Sequence, residues 1–233
     1  MSMHIIARIR TDFPAKFGIP RQSGLVDELV GRVVFEEPYR VPEALRGLEG
    51  FSHIWLIWQF SEALREDWSP TVRPPRLGGN TRMGVFATRS PFRPNGLGLS
   101  CVRLLAVEKD EKLGPVLRVA GADLMDGTPI FDIKPYLPYA DCRPEALGGF
   151  APDAGAKLAV AFAPGVEEKI PEPKRAALRG VLANDPRPRY QHDAARVYKL
   201  LFAGQEISFT VEGETLRVIG AERVSEKKKE RPT

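Results

Sequence analysis

The chain is made of short segments rich in aromatic and β-branched residues, separated by turns that contain glycine or proline. The clearest is 51–60, FSHIWLIWQF, whose composition predicts a central, mostly buried strand. Further strands are predicted at 3–9, 31–37, 83–89, 99–108, 116–122 and 130–133. Only one short helical piece interrupts this series, between Pro42 and Gly50. The pattern favours an all-β barrel over a doubly wound sheet.

Near residue 140 the composition changes to a linker rich in glycine and proline. Beyond it we predict a strand at 157–163, a helix at 174–183 and strands near 196–203, 205–211 and 214–219. The fold class is therefore mainly β: a barrel domain over 1–142 and a smaller α+β domain over 143–224. The charged, lysine-rich end, 225–233, is predicted to be disordered.

Composition excludes several classes of function. The two cysteines, Cys101 and Cys142, and the three histidines show no zinc-ligand spacing, so no metal is expected. Phosphate-binding P-loops, dinucleotide fingerprints and G-x-S-x-G elbows are absent from the sequence. No signal peptide is apparent, and the longest apolar run is too short for a membrane span. We therefore expect a cytoplasmic protein with no membrane association.

Arginine is concentrated in one stretch, 73–100, which holds five arginines, and no acidic residue or lysine occurs between Asp67 and Glu108. A guanidinium group binds a carboxylate or a phosphate through two parallel hydrogen bonds. The stretch is therefore interpreted as a stiff cationic loop that holds an anion. The alternative left open is a barrel rim whose arginines face water.

Three smaller motifs carry polar groups that could form a site. In the first loop Pro20 precedes Arg21 and Gln22, a pair that can read a carboxylate or a base edge, or can lie in an exposed turn. The turn 126–129, DGTP, adds an acid, and 185–190, DPRPRY, is a second proline-stiffened arginine loop. A reaction that needs mainly positioning, such as group transfer, fits these residues.

Three segments resemble a known family: RPPRLGGNTRMGVFATRSPFRPN, FSHIWLIWQF before it and DLMDGTPIFDIKPYLPYAD after it. They are similar to the TrmO, or TsaA-like, family of S-adenosylmethionine-dependent tRNA methyltransferases. That family methylates N6 of threonylcarbamoyl-adenosine, at position 37 beside the anticodon of threonine tRNAs. The resemblance covers about 5–141 and the DPRPRY loop. It implies a single-sheeted antiparallel β-barrel and a homodimer with the cofactor, S-adenosylmethionine, near the subunit interface.

The resemblance also implies site residues. Cofactor contacts fall on Pro20, Arg21, Gln22, Ser61, Glu62, Arg89, Leu99, Asp126, Gly127, Thr128 and Pro129. The tRNA-contacting loop falls on Asp185, Arg187, Arg189 and Tyr190. We expect the tRNA phosphates to be bound by Arg73, Arg76, Arg82 and Arg93. Loss of the N6 proton should assist transfer, and we expect Asp126 or the substrate's own threonyl carboxylate to help. The chain departs from the family at 95–98, NGLG, where a proline commonly follows the asparagine.

Two alternative functions stay open at this stage. The runner-up is a non-catalytic RNA-binding barrel, which would show no affinity for S-adenosylmethionine. The other is an enzyme acting on a small phosphorylated metabolite, whose binding would depend less steeply on salt than binding of RNA.

Overall fold

Eight strands form the first part of the chain in this computed structural model, which describes residues 3–64, 67–187 and 193–224. The predicted disordered tail, 225–233, lies outside these residues. In chain order the strands are β1 (Ala7–Arg10), β2 (Val30–Phe35), β3 (His53–Gln59), β4 (Thr71–Val72), β5 (Met83–Gly84), β6 (Leu97–Asp110), β7 (Gly114–Ala120) and β8 (Pro129–Pro135).

Six of these strands pair in the order β1-β2-β7-β6-β3-β8, and β8 pairs back onto β1, so that they close into a barrel. Every pairing in this ring is antiparallel. Alternate residues of β3 point inward, and Ile54, Leu56 and Trp58 are buried. The prediction of a mainly β chain with 51–60 as a central strand is thus confirmed.

The predicted strand at 83–89 is wrong beyond Gly84. Only β5 pairs, with β4, and a 3₁₀ turn follows at Val85–Ala87. The turn's carbonyl groups find side-chain donors instead of a neighbouring strand. The Arg93 guanidinium donates to Thr88 O at 2.7 Å, and the Thr88 hydroxyl donates to Val85 O at 2.8 Å. Because these two carbonyl groups already accept hydrogen bonds, they do not require a partner strand.

The second part of the chain is a four-stranded sheet covered by a helix. Its strands are β9 (Ala159–Phe162), β10 (Tyr198–Phe202), β11 (Gln205–Glu212) and β12 (Thr215–Arg223), in the order β10-β11-β12-β9. Two α-helices are present in the described ranges, α1 (Pro138–Asp141) and α2 (Glu172–Ala183). Helix α2 buries Leu178, Val181 and Leu182 against the sheet's core, which confirms the predicted helix.

The loop between β1 and β2 buries its apolar side chains in the second core and not in the core of the barrel. Phe13, Val26 and Leu29 are buried in the cluster that also holds the apolar face of α2. A Cβ at Gly18 would lie 2.1 Å from Leu200 Cδ1, so the loop lies directly on β10. The predicted domain boundary at 142/143 stays a prediction. This loop belongs to the first predicted domain but packs against the second.

No helix in the described part of the chain combines the length and apolar character that a membrane crossing requires.

Candidate active site

A cavity of about 710 Å³ opens where β3 and β6 meet the loops at 16–22, 61–64 and 88–93. Its inner end is apolar: the rings of Trp58 and Phe60 meet edge to face, with centroids 4.3 Å apart, and Leu124 lies beside them. Its mouth carries Arg21, Arg89 and other charged side chains. A few polar groups around an apolar cavity of this size are typical of a small-molecule site.

Most of the predicted cofactor contacts line this cavity. They are Pro20, Arg21, Gln22, Ser61, Glu62, Arg89, Leu99 and Thr128. The Arg89 guanidinium donates to the Gln22 amide oxygen, and the Lys16 ammonium donates to the Glu62 carbonyl. The structure thus brings together residues from five separate segments of the sequence.

The predicted contacts Asp126, Gly127 and Pro129 are not among the described residues that line the cavity. The Asp126 carboxylate accepts the Thr11 N–H at 3.0 Å and faces Arg10 at 3.5 Å. Gly127 has φ +78°, and its carbonyl accepts a hydrogen bond from Arg8 at 3.1 Å. The turn therefore ties β8 to β1, and the catalytic role expected of Asp126 stays a prediction.

A chain of hydrogen bonds runs from the floor of the cavity to a carboxyl group that the sequence analysis did not single out. Trp58 Nε1 donates to Ser100 Oγ at 2.9 Å, and Ser100 Oγ donates to Asp123 Oδ1 at 2.5 Å. Asp123 lines the cavity, and its burial raises the pKa of the carboxyl group. The hydrogen bond from Ser100 and the Arg89 charge oppose that rise.

Gly98 makes this arrangement possible. It lies opposite Trp58 in the β3–β6 ladder, and a Cβ there would lie 2.3 Å from Trp58 Cε2. Without a side chain at 98, the indole can lie across β6 and reach Ser100 two residues further on. The sequence contains both the glycine and the tryptophan, but it does not give the register of β3 and β6 that places them opposite each other.

A second groove, of about 1750 Å³, adjoins the cavity. The two share Arg21, Gln22, Thr88, Arg89, Pro91 and Phe92. The groove is also lined by predicted tRNA contacts, Arg73, Arg76, Arg82 and Arg187, and by Trp68 and Phe86. These two rings stack at 6.0 Å and are largely exposed, at 48% and 71%. The groove thus combines cationic groups with open aromatic faces.

Several of these arginines already have partners within the chain. Arg76 pairs with Asp153 at 2.8 Å, and Arg82 donates to the Thr71 hydroxyl at 3.0 Å. Arg187 forms two bonds with Asp185, at 2.9 and 3.0 Å, which raise the pKa of the guanidinium. Arg93 lines the cavity instead of the groove. Arg189 and Tyr190 lie outside the described residues.

The profile of the tRNA-methyltransferase O N-terminal domain matches residues 8–142, and that of the TrmO C-terminal domain matches 155–224. The chain belongs to the tRNA-methyltransferase O family. The resemblance found in its sequence motifs is therefore confirmed.

Relatives in this family are similar to this chain, in sequence or in structure, over most of its length. The Escherichia coli K12 protein named tRNA (adenine(37)-N6)-methyltransferase is 46% identical over 195 residues, which cover 80% of this chain and 82% of that one. A Pseudomonas aeruginosa protein named putative S-adenosylmethionine-dependent methyltransferase RcsF is 42% identical, over 82% of this chain and 83% of that one. A crystal structure of TrmO from P. aeruginosa superposes with a TM-score of 0.80 at 34% identity, covering 96% and 97% of the two chains.

Proposed function

We propose that this chain is a tRNA methyltransferase that uses S-adenosylmethionine to methylate N6 of threonylcarbamoyl-adenosine at position 37 of threonine tRNAs. The observation that carries the proposal is the continuity of the small cavity with the arginine-lined groove, through Arg21, Gln22 and Arg89. A cofactor in the cavity and an RNA backbone in the groove would meet at these shared residues. The names of the family relatives support the same chemistry.

The residues present fit S-adenosylmethionine. The apolar inner end formed by Trp58 and Phe60 suits a flat base, and the Arg89 guanidinium suits a carboxylate. Glu62 supplies negative charge for an ammonium or sulfonium group. The bound cofactor supplies an electrophilic methyl group. The chain's own contribution is to place that methyl beside the base and to exclude water at the buried end.

The groove supports recognition of a single-stranded loop. Arginines bind phosphates, and exposed aromatic rings accept unstacked bases with little regard to sequence. Sequence-specific recognition of RNA mostly targets such unstacked bases, and an anticodon loop offers them. We assign the barrel, 1–142, to the cofactor and the chemistry, and 143–224 to holding the tRNA.

We further propose that the enzyme works as a cytoplasmic homodimer. Two exposed apolar side chains flank the cavity, Leu64 and Leu99, at 55% and 53% exposure. Apolar groups beside a site are often covered by a partner surface. A second copy of the chain would cover these two and complete the wall of the cavity.

The test uses purified protein, methyl-labelled S-adenosylmethionine and two forms of threonine tRNA, with and without the threonylcarbamoyl group. Mass spectrometry of the digested nucleosides should show one added methyl group on threonylcarbamoyl-adenosine only. Methylation of the unmodified tRNA would contradict the proposed substrate but keep the reaction class. A protein that binds tRNA but not the methyl donor would be the non-catalytic RNA-binding barrel.

A further inference from the structure

Asp123 lines the cavity; its carboxyl group is bonded to Ser100 and lies close enough to the Arg89 guanidinium at the mouth to feel its charge. We propose that Asp123 is the catalytic proton acceptor of the methyl transfer and that Ser100 and Trp58 position it. The inference rests on the proposed function, because it names the group that takes the N6 proton of that substrate. It replaces the expectation that Asp126 acts as the base.

The direction of the hydrogen bonds follows from the chemistry of the three side chains. An indole N–H can only donate, so Ser100 Oγ accepts from Trp58 at 2.9 Å. Ser100 has a single hydroxyl hydrogen, which it donates to Asp123 Oδ1 at 2.5 Å. The arrangement therefore delivers a donor to Asp123 and suits an ionised carboxylate. A carboxylate has about four lone-pair sites, so it can accept the Ser100 bond and still take a proton.

The reaction needs such an acceptor. The target nitrogen belongs to a urea-like group and is a poor nucleophile while it keeps its hydrogen. As the N6–CH₃ bond forms, the C–S bond breaks, and its electron pair leaves with the sulfur of S-adenosylhomocysteine. The N6 proton passes to the Asp123 carboxylate. Burial raises the pKa of this carboxyl group, and a carboxylate with a raised pKa is a stronger base than one in water.

The other carboxyl groups near the cavity are placed less well for this role. Asp126 lies three residues further along, but its carboxylate is bound to the Thr11 N–H and faces Arg10. Glu62 lines the cavity from an exposed turn at its mouth. Within the described lining, Asp123 is the carboxyl group held by buried partners, since Trp58 and Ser100 are both buried.

The primary experiment compares Asp123→Asn with Asp132→Asn in single-turnover methyl transfer at saturating donor and tRNA. Asp132 lies on β8, paired with Lys134 and away from the cavity, so it is a matched control. We expect Asp123→Asn to lower the rate roughly 10²- to 10⁴-fold, as loss of a general base does. Donor affinity by calorimetry should stay within about threefold. The Asp132→Asn rate should match the wild type.

Ser100→Ala tests the positioning role. Loss of a hydrogen bond to the charged form raises the pKa of Asp123 further. The acidic limb of the wild-type pH–rate profile should therefore move to higher pH in Ser100→Ala, and the profile of Asp123→Asn should have no such limb. A ¹³C NMR titration of the aspartate carboxyl groups, without donor or tRNA, should show the same upward movement in pKa. A purely structural role for Ser100 would leave the limb and the titration in place.

Three outcomes would overturn the inference. If the wild type methylates the tRNA and Asp123→Asn stays within tenfold of it, Asp126 or the substrate's threonyl carboxylate takes the proton. If Asp123→Asn loses donor affinity but keeps its saturated rate, Asp123 is a cofactor ligand and not the base. If the wild type itself transfers no methyl group to any tRNA, the proposed function fails, and this inference fails with it.

Discussion

Lys174 Nζ lies 2.6 Å from Asp12 Oδ2, and this ion pair joins helix α2 to the loop that follows β1. The Asp12 carbonyl also accepts the Ala203 N–H at 2.9 Å, from the turn between β10 and β11. The same loop carries Arg21 and Gln22 to the cavity. The second sheet therefore positions residues of the proposed cofactor site on the barrel.

Replacing Lys174 with methionine should loosen this loop. Asp12 keeps only 15% of its side chain exposed, so the substitution leaves a largely buried carboxylate without its cation. We expect a loss of roughly 1–2 kcal/mol in the free energy of unfolding and weaker binding of the methyl donor. Urea denaturation and calorimetry measure the two effects. Lys134→Met, which breaks an exposed pair with Asp132, is the control and should cost under about 1 kcal/mol. Equal losses in both variants would count against a special role for the Lys174 pair.

Gly98→Ala should disturb the cavity from within the sheet. The added methyl group would meet the Trp58 ring at 2.3 Å, and the ring would have to give up its bond to Ser100. Overpacking of this kind costs roughly 1–3 kcal/mol. Thermal unfolding and tryptophan fluorescence report the stability and the moved indole. Gly50→Ala places its methyl group in open space and should change neither. A fully stable Gly98→Ala protein with unchanged fluorescence would contradict this account of the glycine.

Local patterns in the sequence were enough to predict β3, β6 and α2, because alternating apolar residues and helix signals are properties of neighbouring residues. The stretch 83–89 looked like a strand by composition, but the carbonyl groups of Val85 and Thr88 accept hydrogen bonds from the Thr88 and Arg93 side chains. Asp123 and Asp126 belong to one sequence motif. The path of the backbone decides that Asp123 lines the cavity while Asp126 bonds to the β1 end. The packing of the β1–β2 loop on α2 depends on contacts across some 160 residues, exemplified by Lys174 and Asp12. No local pattern encodes such a contact.

Arg89→Ala should weaken binding of the methyl donor. The guanidinium lies at the mouth of the cavity, held by the Gln22 amide, where it can meet the donor's carboxylate. Loss of a charged hydrogen-bond partner should cost about 2–4 kcal/mol of binding free energy. Calorimetry gives the affinity, with Arg118→Ala as the control, because Arg118 pairs with Glu108 on the barrel wall. Unchanged affinity in Arg89→Ala would reject the role.

Asp110 should make the barrel sensitive to acid. At the β6–β7 turn its carboxylate accepts Arg32 Nη2 at 2.9 Å and the N–H groups of Lys112 and Leu113 at 3.0 Å. These bonds lower the pKa of Asp110 to about 2, from an ordinary value of about 3.9. The folded state therefore holds fewer protons than the unfolded state between these values. The stabilisation is complete above about pH 4 and is lost as the pH falls toward 2.

Asp110→Asn keeps the turn but removes the charge, so it isolates this contribution. The difference in urea midpoint between wild type and Asp110→Asn should be largest near neutral pH and should shrink as the pH falls below 4. Arg32→Gln removes the same ion pair and should show the same trend. A difference that is constant from pH 6 to pH 3 would show that the charge on Asp110 contributes nothing.

Phe86 and Arg82 should contribute to tRNA binding in different ways, because both line the groove but offer different contacts. Phe86→Ala removes a stacking face and should weaken binding by roughly 1–3 kcal/mol at every salt concentration. Arg82→Ala should lower the slope of log affinity against log salt by about one. Filter binding over a salt series separates the two effects. Tyr139→Ala is the aromatic control, since Tyr139 is 84% exposed but lies on α1, outside the groove's described lining. If Phe86→Ala leaves tRNA binding intact but dissociates a dimer, the aromatic pair belongs to a subunit interface instead.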